Sequence, residues 1–163
     1  MTEAPRPRVG IGYDSHRFES GRPLILCGQT IPFAQGLAGH SDADAVSHAV
    51  TDAILGASGA GDIGKLFPDD DPAWEGADSL ELLRLAVRHV GQVGWVPVQV
   101  DVTVIIERPK LASYISAMEQ HLAQALGVED GLVNVKAKTN EGMGWVGRGE
   151  GVAVIAIATV EAR

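Results

Sequence analysis

Cysteine, aromatic residues and basic charge are all scarce in this chain, and each scarcity narrows what the protein can do. A single cysteine, Cys27, among 163 residues excludes a disulfide framework and any four-cysteine zinc site. Lys and Arg number 13 against 21 Asp and Glu, a formal net charge of −8, which is the wrong sign for the phosphate-neutralising footprint of a nucleic-acid binder. Anionic small molecules stay open as ligands, provided metal ions or local basic groups receive them. No apolar run suits a bilayer: the longest near the end, residues 152–158, falls far short of the ~20 residues a spanning helix takes. The first eight residues carry an acid and two prolines and no apolar core of a secretory signal, so a cytoplasmic protein without a membrane partner is expected. Aromatic residues are few, 5% of the chain, whereas glycine is abundant at 20 residues, which points to tight turns and to places where backbone approaches a ligand closely.

What is present suits one domain. Hydrophobic residues make up 45% and charged residues 21%, ordinary globular values, and a chain of this length buries roughly 70% of its unfolded surface without staples. A Pro-rich lead, residues 1–7, is read as flexible, followed by a single domain at 8–163. A strand is expected at 8–13, an extended piece at 23–31, and a helix at 42–56 with Ser41 or Asp42 as N-cap. Residues 57–77 read as a loop. Asp78 and Glu81 have capping-box spacing ahead of a second helix ending near Gly91. Residues 96–107 alternate as a strand, with Val98, Val100, Val102 and Val104 on one face and Asp101 and Thr103 on the other. A third helix follows at 111–126, closed by Gly127. Residues 133–139 alternate again, a Gly-rich loop spans 142–151, and the last strand, 152–160, is apolar on both faces as a central or interface strand would be. The expected fold is α+β: a mixed β-sheet covered by helices on one face, a ferredoxin-like sandwich.

The sharpest chemical constellation joins Asp14-Ser-His16 to the first helix. In an extended segment Asp14 and His16 share a face. On the helix, Asp44, His48 and Asp52 form one polar stripe, opposite Val46, Ala49, Val50, Ala53 and Ala57. If the strand end docks beside that stripe, Asp14, His16 and His48 supply one oxygen and two imidazole ligands, leaving a tetrahedral zinc with an open fourth position. Asp44 or Asp52 would then orient an imidazole from behind. On spacing alone, a solvated helix face and an ordinary polar turn explain the same residues more simply. His89 and His121 fall inside helical patterns and read as surface histidines. Gly10-Ile-Gly12 lacks the third glycine and the following helix of a dinucleotide fingerprint. The glycines of 142–151 lack the Gly-Lys-Ser/Thr of a P-loop, although their amides and Arg148 could receive phosphate. Pro68-Asp-Asp-Asp-Pro72 lacks EF-hand spacing and reads as a solvated acidic turn or a seat for a cation or a hydroxyl.

From Asp14-Ser-His16 and Gly39-His-Ser-Asp-Ala-Asp44 onward, the chain resembles the 2-C-methyl-D-erythritol 2,4-cyclodiphosphate synthases. The likeness continues through His48-Ala, Gly61-Asp-Ile-Gly64, Phe67-Pro-Asp, Gly76-Ala-Asp-Ser79, Pro109-Lys110, Asn134-Val-Lys-Ala137, Thr139, Glu141 and Gly147-Arg-Gly-Glu-Gly151. It covers nearly everything from residue 8. The resemblance implies a lyase of non-mevalonate isoprenoid biosynthesis, assembled as a homotrimer with active sites between subunits. It implies zinc on Asp14, His16 and His48, and magnesium or manganese on Glu141 with the diphosphate. His40 and Thr139 match positions credited with transition-state stabilisation, and Ser41 sits on the loop with His40. Asp62, Ile63, Gly64, Phe67, Asp69 and Asp71 would grip the methylerythritol hydroxyls. Ile106, Pro109, Lys110, Leu111, Ala137 and Lys138 would surround the cytidine diphosphate from the neighbouring subunit. Lys138 stands where relatives commonly have threonine, Cys27 where many have glycine, and Trp145 replaces a phenylalanine near the trimer axis. There, with Arg148 and Glu150, the family can enclose an isoprenoid diphosphate. A zinc-dependent phosphohydrolase and a non-catalytic isoprenoid-diphosphate binder are the alternatives.

Overall fold

The computed structural model describes residues 6–163; of the lead expected at 1–7, residues 1–5 lie outside the described residues. In chain order the elements are β1 (Arg8–Ser20), β2 (Leu24–Leu26), β3 (Gln29–Ile31), β4 (Gln35–Leu37), α1 (Ala45–Ser58), α2 (Ile63–Leu66), α3 (Ser79–Gln92), β5 (Trp95–Ile105), α4 (Ile115–Leu126), β6 (Val133–Lys138), α5 (Gly144–Gly147) and β7 (Gly151–Ala162). Five strands form one mixed sheet in the order β4-β1-β7-β5-β6, and β2 and β3 form a separate hairpin. β7 runs antiparallel to both β1 and β5, whereas β6 lies parallel to β5. β7 is therefore central, as its two apolar faces foretold.

The long helices pack on one face. Val100, Val102 and Val104 of β5, and Val152, Val154, Ala156, Ala158 and Val160 of β7, point into the layer between sheet and helices and are buried. The opposite face is open: Val9, Ile11 and Tyr13 of β1 and Ile157 of β7 are 45–69% exposed. The two-layer sandwich is as expected, but its succession is not ferredoxin-like. The long elements run β-α-α-β-α-β-β, not β-α-β-β-α-β. α4 provides the crossover that parallel β5 and β6 require, and β7 then inserts between β1 and β5.

Local chemistry moves several boundaries. α1 begins after Asp44, whose side chain accepts from the Ser47 amide, and not at Ser41 or Asp42, because both of those side chains bond elsewhere. β1 continues to Ser20 through polar residues that sequence patterning does not read as strand. The expected loop at 57–77 contains α2 and a 3-10 turn at Pro72–Trp74, and the Gly-rich loop contains α5. α4 starts at Ile115, later than 111, and ends as foreseen at Gly127 in the left-handed conformation. Among the described residues no helix is long and apolar enough to cross a membrane.

The seam between β1 and α1 positions everything that follows. A Cβ on Gly12 would fall 1.8 Å from the Ala49 carbonyl oxygen, and one on Gly10 2.1 Å from that of Ala53. Strand and helix backbones thus touch with no side chain between them. The glycine pair that imitates a dinucleotide fingerprint serves helix-on-strand packing.

Candidate active site

That seam brings His48, on α1, against Asp14 and His16, two residues apart on the helix-facing side of β1. Asp14 Oδ2 lies 2.8 Å from His16 Nε2 and 3.1 Å from His48 Nδ1. The three ligand atoms all lie within 4.8 Å of one another. One carboxylate oxygen and two imidazole nitrogens, half-buried and converging on one point, fit a divalent metal ion. His16 Nδ1 donates to the Ala38 carbonyl at 2.6 Å; a carbonyl only accepts, so the proton is fixed on Nδ1 and Nε2 faces the metal position. Burial works to raise the Asp14 carboxyl, but hydrogen bonds and charge from His16 and His48 prevail and lower it to about 2. Burial also works to lower His16, yet the Asp14 carboxylate and the Ala38 carbonyl together raise it.

Neither aspartate expected behind the imidazoles does that work. Asp44 is fully buried, and accepts from the amides of Cys27, Gly28 and Ser47 and from Ser47 Oγ; it fastens the β2–β3 hairpin to the start of α1. Asp52 accepts from the Ile63 amide at 2.7 Å and so sets the start of α2. Burial raises both carboxyls. His48 Nε2 instead meets Ser79 Oγ at 2.9 Å and Ser41 Oγ at 3.1 Å. Ser79, the first residue of α3, stands in the Gly76-Ala-Asp-Ser79 block of the resemblance, but nothing in the sequence assigns it a contact with His48.

A cavity of about 250 Å³ opens over these ligands, lined by Asp14, His16, Gly39, His40, Ser41, His48, Ile63, Gly64, Phe67, Asp69, Trp74, Glu75 and Leu82. The expected residues Asp62 and Asp71 are not in its wall: Asp62 caps α2 through the Lys65 amide and Asp71 caps the 3-10 turn through the Ala73 amide. Trp74, Glu75 and Leu82 are wall residues that sequence reading missed; Trp74 packs edge-on against Phe67 at 5.0 Å. The loop that carries His40 is held at three successive carbonyls. Arg22 donates to those of Gly39 and Ser41, each at 2.7 Å, and the Gly76 amide donates to that of His40 at 2.9 Å.

The other expected set forms its own cavity, of about 320 Å³, lined by Ile106, Glu107, Pro109, Lys110, Leu111, Ala112, Ile115, Ala137, Lys138 and Thr139. Its two lysines give a local basic seat in an acidic chain. No residue lines both cavities. Beyond Thr139, Glu107 Oε1 accepts from the amides of Asn140 at 2.9 Å and Gly142 at 3.2 Å. Those bonds bracket Glu141, whose φ of 54° is left-handed, and present its carboxylate on an exposed turn. Trp145 lines a third cavity, of about 680 Å³, with Ser15, His16, Arg17, Phe18, Gln35, Gly149 and Glu150. Arg148 is ion-paired with Glu150 at 2.8 Å. His121, half-buried rather than a free surface histidine, donates from Nδ1 to the Cys27 carbonyl at 2.8 Å.

The chain is similar to known proteins along nearly its whole length. The protein from Bordetella petrii named 2-C-methyl-D-erythritol 2,4-cyclodiphosphate synthase is 55% identical over 93% of this chain and 93% of its own length. That of Symbiobacterium thermophilum, with the same name, is 53% identical over 95% and 99%. A solved synthase structure described as its CDP-bound form superposes with a TM-score of 0.87 at 41% identity, covering 94% of this chain and all of that one. The bifunctional IspDF of Campylobacter jejuni gives 0.93 at 40% identity, this chain spanning 43% of that longer one. With the YgbB family model matching residues 7–161 and full-length relatives more than half identical, the chain belongs to the YgbB family.

Proposed function

We propose that the protein converts 4-diphosphocytidyl-2-C-methyl-D-erythritol 2-phosphate into 2-C-methyl-D-erythritol 2,4-cyclodiphosphate and CMP, in the non-mevalonate route to isoprenoids. The observation that carries this reading is the convergence of Asp14, His16 and His48 at one cavity, in a chain more than half identical to synthases of that name. An oxygen of the substrate's own 2-phosphate forms a bond to the β-phosphorus. The bond from that phosphorus to the bridging oxygen breaks, and CMP departs with the electron pair. The nucleophile is ionised near neutral pH, so no side chain has to remove a proton; the protein's task is in-line placement and relief of phosphate repulsion.

Asp14, His16 and His48 would hold zinc, and Glu141 with the diphosphate would hold magnesium or manganese. When bound, such ions supply Lewis-acid charge that polarises phosphoryl oxygens. His40 and Ser41, held in place by Arg22, would close over the reacting phosphates, and Thr139 would steady the charge that builds up on them. Ile63, Gly64, Phe67 and Asp69 would shape the methylerythritol seat, with Asp62 and Asp71 setting its turns. Ile106, Pro109, Leu111 and Ala137 would frame the cytidine, with Lys110 and Lys138 facing its diphosphate. As the resemblance implies, a complete site would join one chain's metal half to a neighbour's nucleotide half in a homotrimer, with the open sheet faces turned to its axis; two cavities without a common lining residue support that reading. An isoprenoid diphosphate on that axis would meet Trp145, Arg148 and Glu150.

Phosphorus NMR of the diphosphocytidyl substrate, incubated with protein, zinc and magnesium, tests this reading. Cyclic diphosphate with CMP, lost on chelation, is the expected result. CMP with a linear phosphate would replace it with a phosphohydrolase. No turnover by a zinc-loaded trimer would replace it with a binding protein.

A further inference from the structure

Resting on the metal-centre reading above, we propose that Asp42 and Ser79 are positioning residues for His48: they hold its ring proton on Nε2, so that Nδ1 meets the metal as a bare lone pair. Asp42 lies in the loop before α1, and Ser79 is the first residue of α3, fully buried. The Asp42 carboxylate accepts from the Ser79 amide at 3.1 Å, from the Asp44 amide at 3.1 Å, and in a short bond from Ser79 Oγ.

A serine hydroxyl has one proton, and an ionised carboxylate can only accept. The Ser79 proton is therefore committed to Asp42. What Ser79 turns toward His48 Nε2, 2.9 Å away, is an oxygen lone pair. Only a protonated Nε2 makes that contact attractive; the other tautomer would set two lone pairs against each other. The Ser41 hydroxyl, 3.1 Å from Nε2 and 3.3 Å from Ser79 Oγ, accepts from the Ala43 amide at 3.2 Å. Its proton is free to serve Ser79, so it does not have to contest the assignment. A ring that holds a metal ion is neutral and carries one proton; with that proton on Nε2, Nδ1, 3.1 Å from Asp14 Oδ2, is left bare for the ion, whereas without the ion the Asp14 carboxylate calls for a proton on Nδ1. His16 reaches the same state through a carbonyl, and His48 through a serine whose polarity an aspartate sets. The linkage also ties the ligand to the start of α3, an element outside the strand–helix seam.

The test is Ser79→Ala, measured by zinc affinity in competition with a chelator and by the visible spectrum of the cobalt-loaded protein. Alanine suits the first turn of a helix, and Asp78 remains as its cap. Zinc affinity is expected to fall about 10- to 100-fold, the range found when such supporting partners are removed, with weaker cobalt bands and little change in the unfolding of chelated protein. Ser79→Thr, which keeps the hydroxyl, is expected to restore affinity to within about threefold, and it carries the test should the alanine variant not fold. An alanine variant that holds zinc as tightly as wild type, with the same cobalt spectrum, overturns the proposal. So does a threonine variant that is folded but as weak as alanine. A wild-type protein that takes neither ion overturns the metal centre itself, a result visible before any substitution is made.

Discussion

Gly12→Ala is the most demanding test of how the site is held, because it would force one methyl group between two backbones that already touch. The added Cβ would lie 1.8 Å from the Ala49 oxygen, 2.8 Å from its carbonyl carbon and 2.9 Å from the Ala53 nitrogen. Ordinary contact begins near 3.4 Å, so α1 has to retreat by roughly 1.6 Å. No flexible side chain is available to yield instead. His48 adjoins Ala49 and Asp14 lies two residues beyond Gly12, so the retreat is transmitted to the ligand set. Metal sites tolerate distance errors of about 0.2 Å, several times less than the displacement. Overpacking typically costs about 1–3 kcal/mol, and the rigid setting argues for the upper end. At about 2–4 °C per kcal/mol for a chain of this size, chelated protein should melt on the order of 6–12 °C lower. Zinc affinity should fall by more than the roughly 10- to 100-fold lost when a supporting partner is removed, because the ligands themselves are displaced. Calorimetry of chelated protein and zinc competition measure the two effects separately. Gly131→Ala, where an added Cβ meets nothing within 4 Å, is the control. A Gly12→Ala protein that melts with wild type and keeps its zinc would refute the account of the seam.

Three further outcomes follow from the same geometry. Arg22→Ala frees the carbonyls on either side of His40; kcat should fall on the order of 10-fold, from the loss of charge-assisted bonds, with zinc affinity unchanged, and a variant that turns over like wild type would remove Arg22 from the site. Glu107→Ala releases the amides of Asn140 and Gly142 and should weaken manganese binding in the presence of CDP about 10- to 100-fold by electron paramagnetic resonance, whereas Glu107→Gln, still an acceptor, should stay close to wild type. In chelated protein, Asp14→Asn should cost up to about 2 kcal/mol near pH 5.5, an upper bound because the Asp14 side chain is 25% exposed. The sign follows from the two directions: a carboxyl lowered to about 2 stabilises above the unfolded value of 3.8 and loses that contribution as pH falls toward 2. A raised His16 stabilises fully below 6.5 and loses its share as pH rises through its folded value. Denaturant titrations at pH 2.5, 5.5 and 8.5 should therefore show the largest difference at the middle pH, and a flat difference would refute the pairing.

Short-range periodicity places each ligand on a face, and the resemblance, not the spacing, joins the faces into one site. Two residues apart on an extended strand put Asp14 beside His16, and one helix face carries His48. The companions of these ligands were not readable, because an aspartate's partners depend on what lies across the fold. Asp44 continues the His48 stripe on a helical wheel, yet it caps the helix and is sealed under the β2–β3 hairpin. Asp42 has the look of a cap, yet it reaches Ser79, 37 residues away. Asp62 and Asp71 each give one carboxylate oxygen to a local turn, a role that their place in the sequence does not announce. Strand order escaped for a related reason: alternation assigns faces, and only pairing between distant segments decides that β7 enters between β1 and β5.

In the proposed homotrimer, the apolar face of the sheet would make concentration a variable of this protein's stability. Val9, Ile11, Tyr13 and Ile157 belong to strands whose other face is already sealed by helices, so any surface that covers them adds to the free energy of the folded chain by mass action. The melting point should climb as the solution is made stronger. Substitutions on this face would then behave as defects of folding in dilute protein and go unnoticed in concentrated stock.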